Sequence, residues 1–220
     1  MGRPSNTAER REQIVEGLLS AMSKGGYAEA SVAEIAREAG LAPGLVHYHF
    51  ANKQEILVAL IERLVSGLDA RVANGLERLE REPPAASARA RLYVVVDAHV
   101  ALGPESDPRA VAAWVVIGAE AVRLKEVRGL YTRAIQGWLA RLEGLVRAAL
   151  REEGRATLHA KRIAAGILSA IEGAYLLSAA SPATLPRGFA SPMLRRMTDG
   201  LLDAEAAPDP VRPRRPRPRA

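Results

Sequence analysis

Cysteine is absent from the 220 residues. No disulfide, thiolate nucleophile or cysteine-based metal site can therefore form, which suits a reducing cytoplasm. Aromatic side chains are scarce, with two Trp, five Tyr and two Phe, so the places where they collect carry information. Strand signals are nearly missing: YVVVDAHV (93–100) and AWVVIGAEAV (113–122) sit inside longer helix-compatible windows without flanking turn residues. No stretch approaches the roughly 20 uninterrupted apolar residues that cross a bilayer, so no membrane span is expected. The opening MGRPSNTAERREQ lacks the apolar middle of a secretory signal, and a soluble cytoplasmic protein is the expectation. No G-x-S-x-G, H-E-x-x-H, P-loop or dinucleotide fingerprint occurs, which leaves an enzyme reading without residues and implies no cofactor.

The net charge of +6 invites a nucleic-acid reading, but its distribution misleads. The C-terminal PDPVRPRRPRPRA holds five Arg and one Asp, whereas residues 1–53 hold six basic and six acidic side chains. Any DNA argument for the N-terminal part must rest on pattern. The Arg/Pro tail from 208 to 220 cannot build a core and reads as disordered, either adding nonspecific phosphate affinity or serving as a solubilising extension.

The remaining pattern is all helix. From Asn6, with Glu9 as a capping box, Ile14, Val15, Leu18, Leu19 and Met22 recur with helical spacing up to Gly25-Gly26. Ser31 with Glu34 caps a second helix ending at Gly40. Pro43 starts a short third helix through His49, and Asn52 with Glu55 caps a fourth that continues to Pro83-Pro84 as a rod of roughly 40 Å. Further helices are predicted at about 85–102, 107–122, 125–153, 157–180 and 190–206. Two short helices meeting at a glycine outline a helix-turn-helix: Ala36 is small at the crossing, Gly40 can take positive φ, and Val46 pins the second helix. An ordinary helix hairpin is the alternative. Lys53 opposes the macrodipole at the start of its helix, and a phosphate there would compensate for it; a solvated lysine is the other reading.

SVAEIAREAGLAPGLVHYHFANKQEIL (31–57) resembles the helix-turn-helix signature of the tetracycline-repressor (TetR) family of transcriptional regulators, through Ile35-Ala36, Ala39-Gly40-Leu41-Ala42, Gly44, Val46, Tyr48-His49-Phe50 and Lys53. The resemblance implies that Ser31 and Lys53 hold phosphates and that Pro43, Gly44, Leu45, His47, Tyr48 and His49 face the major groove. Ala42 departs from the family's usual Ser, removing a side-chain cap, and His47 replaces the more usual Tyr. With Pro, Gly and Leu leading the helix, methyl contacts and DNA shape carry much of the specificity. Arg3, Arg10 and Arg11 are further candidates for the DNA backbone. A metal site at His47 and His49 is disfavoured, because two residues apart on a helix they point about 200° from each other.

The domains expected are a helix-turn-helix domain (1–52), a helical ligand-binding and dimerisation domain (53–207) and the tail (208–220). In the second, Gly166, Ala170, Ala174 and Ser178 form a ridge of small residues, flanked by Ile163, Ile167, Ile171 and Tyr175. With Met193, Met197 and Leu201 of the last helix, they are expected to pair with a second copy as a four-helix interface. Tyr93, His99, Trp114, Tyr131, Trp138 and Tyr175 are candidates either for an effector pocket or for plain core. AAWVVIGAEA and AIEGAYLLSA are similar to the subgroup typified by the choline-responsive regulator of glycine betaine synthesis. The partners implied are a palindromic double-stranded operator, a second copy of the chain and a small-molecule effector. The competing class is a helical adaptor that uses the same fold without DNA.

Overall fold

The computed structural model describes residues 6–81, 85–100 and 107–206, and among these there is no strand. Helices α1 (Asn6–Glu29), α2 (Val32–Ala39) and α3 (Pro43–His49) form the N-terminal part. The 28-residue α4 (Lys53–Glu80) leads into α5 (Ala88–Val100), α6 (Pro108–Arg123), α7 (Lys125–Glu152), α8 (Ala160–Ala180) and α9 (Ala190–Asp203). At 1.5 Å per residue α4 is about 42 Å long.

The expected punctuation is largely realised. Ser31 accepts a hydrogen bond from Glu34 N–H at 3.1 Å. Asn52 accepts from Glu55 N–H at 2.9 Å while Glu55 accepts from Ala51 N–H at 3.0 Å, a reciprocal capping box. Gly26 breaks α1 at φ 80°, although a further turn, Tyr27–Glu29, follows it.

One continuous apolar core runs through the molecule. Ile14, Leu18 and Met22 of α1 meet Ile35, Val46 and Phe50, and the first turns of α4 add Ile56, Leu57 and Leu60 to the same cluster. Farther along, Leu68 and Val72 of α4 join a core built from Leu92, Val96, Ile117, Leu142 and Ile171. The expected boundary between 52 and 53 is thus only a change of helix. Helix α4 belongs to both parts, so it cannot shift without disturbing both.

Polar contacts fix the far end of the bundle. Arg89 on α5 pairs with Glu153 at 2.7 Å, Asp199 at 2.7 Å and Asp203 at 2.9 Å, tying α5 to the end of α7 and to α9.

Helix α8 is the most apolar long helix among the described residues, though it is not an uninterrupted apolar run. Its 21 residues include an 18-residue window with a mean hydropathy of 1.6, long and apolar enough to cross a membrane by length and composition although Glu172 lies within it. Only 39% of that window is buried within the protomer. An apolar helix half covered by its own chain calls for a partner surface.

Candidate DNA face and effector site

The turn between α2 and α3 closes as the sequence predicts. Gly40 sits at φ 67°, its N–H donating to Arg37 O at 3.2 Å, while Leu41 N–H donates to Ala36 O at 2.9 Å, the paired bonds of a Schellman motif. Helix α3 then buries Val46 alone and exposes Pro43, Gly44, His47 and Tyr48. Positions 43, 44, 47 and 48 form one helical stripe. Tyr48 is 79% exposed, its ring edge-on to His49 at 5.0 Å. An aromatic so exposed on a seven-residue helix has no packing role. Leu45 and His49 are half-buried on the flanks, and Ala42 makes no side-chain cap.

Three side chains expected at phosphates have partners inside the protein. Ser31 Oγ is occupied as the α2 cap. Lys53 Nζ donates to Tyr27 O at 2.9 Å and Ala28 O at 3.4 Å and lies 4.2 Å from the centre of the Tyr27 ring. The unfavourable cation at the start of α4 is thus compensated by carbonyls at the end of α1, and its partial burial holds the ammonium's pKa below the ordinary lysine value. Arg11 likewise has partners within the protein. It donates to His49 O at 2.6 Å and stacks 3.9 Å over Phe50, fixing the C-terminal end of α3 where an unpaired carbonyl attracts a cation. Arg10 bonds Gln13 at 2.7 Å, and Arg3 lies outside the described residues, as does the Arg/Pro tail from 208.

A residue that sequence reading missed sets the spacing of this unit. A Cβ on Gly17 of α1 would lie 2.5 Å from Ile35 O and 2.9 Å from Ala39 Cβ. The α1–α2 crossing is therefore too close at Gly17, against Ile35 and Ala39, for a side chain there.

The second site lies among α5, α6, α7 and α8. Trp138 packs edge-on to His99 with centroids 5.3 Å apart, and Trp114 lies 4.7 Å from Trp138 and 5.0 Å from Tyr131. Tyr175 donates to His99 O at 2.7 Å. Five of the six expected aromatics thus meet. Tyr93 does not join them: it donates to Asp199 and lies beneath the Arg195 guanidinium, in the α5–α9 contact. At the centre stands Glu172, which the sequence reading did not single out. Trp114 Nε1 donates to both of its oxygens at 3.2 Å and Tyr131 donates at 3.1 Å. Burial raises the pKa of this carboxyl, and the two neutral donors only partly offset that; no ion pair to it occurs among the described residues. The signal was present, since Glu172 is the sole carboxylate of the apolar α8.

His99, with 3% exposure, is neutral, burial holding its pKa at about 4. Its Nδ1 lies 2.8 Å from Val95 O, whereas Nε2 and the Trp138 Nε1 have no hydrogen-bond partner among the described residues. A groove of about 520 Å³ is walled by Val100, Val111, Ser178, Leu185 and Phe189 and by none of the cluster's own residues.

The expected dimer residues divide. Met193, Met197 and Leu201 are 50%, 47% and 39% exposed, joined by Leu176 and Leu177, which the sequence reading did not include. Gly166 is exposed and Ala170 and Ser178 are half-buried, but Ala174 is buried within the protomer, as are Ile163, Ile167, Ile171 and Tyr175, because that side of α8 faces its own core.

Comparison with known proteins gives matches to both parts. Residues 14–60 match the model described as "Bacterial regulatory proteins, tetR family", and residues 88–203 match "BetI-type transcriptional repressor, C-terminal". The HTH-type transcriptional regulator BetI of Agrobacterium fabrum is 31% identical over 83% of this chain and 82% of its own length. That of Ectopseudomonas mendocina is 28% identical over 89% and 93%. Among solved structures, a transcriptional regulator from Saccharomonospora viridis in complex with choline superposes with a TM-score of 0.72 at 22% identity, covering 90% of this chain and 97% of that one.

Proposed function

Because the chain belongs to the tetR family of bacterial regulatory proteins and carries a BetI-type C-terminal domain, it is a DNA-binding transcriptional regulator and not an enzyme, and we propose that it acts in the cytoplasm as a homodimeric repressor released from a palindromic operator by a small quaternary ammonium effector. The observation that carries the effector class is Glu172, a half-buried carboxylate without a cation among the described residues, held by Trp114 and Tyr131, with Trp138 packed against Trp114. Aromatic faces attract a cation that offers no hydrogen-bond donor, and the carboxylate supplies the counter-charge. The choline bound by the Saccharomonospora viridis regulator belongs to this class.

Two copies are held together through the exposed face of α8 and α9, with Leu176, Leu177, Met193, Met197 and Leu201 supplying apolar area and Gly166 and Ala170 allowing close approach. The pair presents two α3 helices at a spacing of about one turn of DNA, roughly 34 Å. Pro43, Gly44, Leu45, His47, Tyr48 and His49 meet the major groove, while Ser31 and Lys53 flank it at the phosphates. Lys53 exchanges its carbonyl partners for a phosphate when DNA binds.

Release follows from the contacts of α6. An effector cation that takes Glu172 displaces the Trp114 hydrogen bond, and Trp114 lies on the helix whose Arg109 pairs with Glu16 of α1 at 2.8 Å. On the same helix, Glu120 acts through its charge on Lys53 and Tyr27. A shift of α6 therefore reaches the DNA-binding part directly. A difference of about 1–3 kcal/mol between the two states yields roughly 5- to 150-fold release.

Selection from random duplex DNA with wild type and Lys53→Ala tests the operator reading. Wild type is expected to enrich a palindrome and bind it with a steep salt dependence, and the variant to lose affinity with a slope shallower by about one. No enrichment at moderate salt by the effector-free protein would refute it.

Effector binding also has a defined pH dependence. The folded-state pKa of Glu172 lies above its ordinary 4.5, so the ionised carboxylate costs stability as the pH rises through that raised value, and a bound cation restores it. Affinity for choline is expected to fall as the pH is lowered through the raised value toward 4.5, in calorimetric titrations at constant ionic strength. A flat profile would remove Glu172 from the site.

A further inference from the structure

Two charged features stand at the end of the bundle away from α3, and neither the operator nor the effector reading uses them. The first is the place where the C-terminal segment leaves the fold. Ala156 N–H donates to Ala206 O at 2.9 Å, and Arg155 donates to Asp203 O at 2.7 Å and to Glu205 O at 3.0 Å, so the chain is clamped to the α7–α8 turn as far as Ala206. Asp203 also pairs with Arg89 of α5 at 2.9 Å, and Arg91 of the same helix lies 3.8 Å from Glu80, the last residue of α4. The clamp therefore stands beside the end of α4 opposite to Lys53, about 42 Å away along that helix. The second feature is a set of free cations around the clamp. Glu153, Asp199 and Asp203 are taken up by Arg89 and Arg155, and Glu205 lies 3.2 Å from His159. Arg151, Lys161 and Arg162, each five or six residues from Ala156, are exposed and have no ion pair among the described residues.

We propose that this pole is a second, sequence-independent nucleic-acid site, built from Arg151, Lys161 and Arg162 together with the five Arg between 212 and 219, and that it takes a stretch of duplex DNA other than the one α3 reads. Reach decides against the same duplex. A chain spans at most about 3.6 Å per residue, so Arg212, Arg214 and Arg215 all keep their Cα atoms within roughly 32 Å of Ala206. Even with an extended side chain that falls short of the start of α4, and the operator lies beyond it. Composition decides for a phosphate polyanion over an acidic protein. Between 208 and 220 Val211 is the only large apolar side chain and no aromatic occurs, so the segment offers no anchor for a protein interface. Cationic side chains are all that sequence-independent binding to a duplex requires, each neutralised phosphate releasing counterions, and the guanidinium fork suits the phosphate. The inference rests on the operator reading only for the duplex held at α3. With both sites filled, the protein bridges two segments of DNA.

The test separates the pole from the α3 face. Full-length protein carrying Tyr48→Ala and Lys53→Ala, which disable that face, is titrated against a random-sequence duplex by fluorescence anisotropy over a range of salt. Adding Arg212→Ser, Arg214→Ser, Arg215→Ser, Arg217→Ser and Arg219→Ser is expected to make the log–log salt slope shallower by about 4 to 5 and to weaken binding at low salt by roughly 100-fold or more. Arg151→Ser, Lys161→Ser and Arg162→Ser together are expected to lower the slope by about 3. With Tyr48 and Lys53 intact, protein seated on an immobilised duplex that bears the selected palindrome is expected to capture a labelled random duplex. The tail variant should hold the palindrome with unchanged affinity and lose the capture. An unchanged salt slope in either set of variants would overturn the site as built. Polyglutamate that competes as well as unlabelled duplex at equal charge would overturn DNA as the partner and make it an acidic protein. If no palindrome is enriched, the operator reading falls, and the anisotropy series still decides the pole.

Discussion

Replacing Glu172 by Gln is expected to leave the operator complex intact and to make it insensitive to quaternary ammonium compounds. Glutamine keeps an oxygen for Trp114 and Tyr131, which donate to the carboxylate at 3.2 Å and 3.1 Å, so the local packing survives. What disappears is the one negative charge within the aromatic cluster. Removing one partner of a desolvated ion pair weakens binding by about 2–5 kcal/mol, and the effector affinity should fall by about 100-fold or more. Stability gives the control, and its sign is opposite to that of a damaging mutation. Burial raises the pKa of Glu172, so the ionised form opposes folding at neutral pH, and the neutral amide should leave the melting temperature unchanged or higher. The measurements are calorimetric titration with choline, operator binding with and without it, and thermal unfolding. Retained choline affinity in the variant would place the effector elsewhere in the domain.

The second large effect is expected at Gly17, where a single methyl group should cost both stability and DNA binding. In Gly17→Ala the new Cβ would stand 2.5 Å from Ile35 O and 3.0 Å from Ala39 N, both backbone atoms that cannot swing aside as a side chain can. The α1–α2 crossing must open, and α2 carries the turn that aims α3. Overpacking of this kind costs about 1–3 kcal/mol, more than the roughly 1 kcal/mol that alanine gains over glycine in helix propensity. Thermal unfolding should shift downward and operator affinity should fall with it. The same substitution at Gly137 in α7, where a Cβ would meet nothing within 4 Å, is expected to stabilise by up to about 1 kcal/mol. If the two variants moved in the same direction, steric closeness at the α1–α2 crossing would not be the operative quantity.

The sequence by itself determined the helical plan and the position of the helix-turn-helix. Ser31 with Glu34, Asn52 with Glu55, Gly40 and Pro43 act within a few residues of their own positions, so their roles are legible without the rest of the chain. The aromatic cluster was legible as a list because aromatics are few, with Tyr93 as its one misplaced member. Tertiary structure decided everything that depends on what a distant segment brings. Lys53 meets carbonyls 25 and 26 residues away, Arg11 reaches the end of α3 across 38 residues, and Gly17 is tight only because α2 crosses there. Glu172 is charged, solitary and ordinary in the sequence. It becomes a desolvated carboxylate when α6 and α7 bring Trp114 and Tyr131 against it, because the cost of desolvating a charge is a property of its surroundings and not of the residue. The faces of α8 follow the same logic: apolar composition marks the whole helix, and only packing decides that Ile163, Ile167 and Ala174 serve the protomer while Leu176 and Leu177 stay exposed.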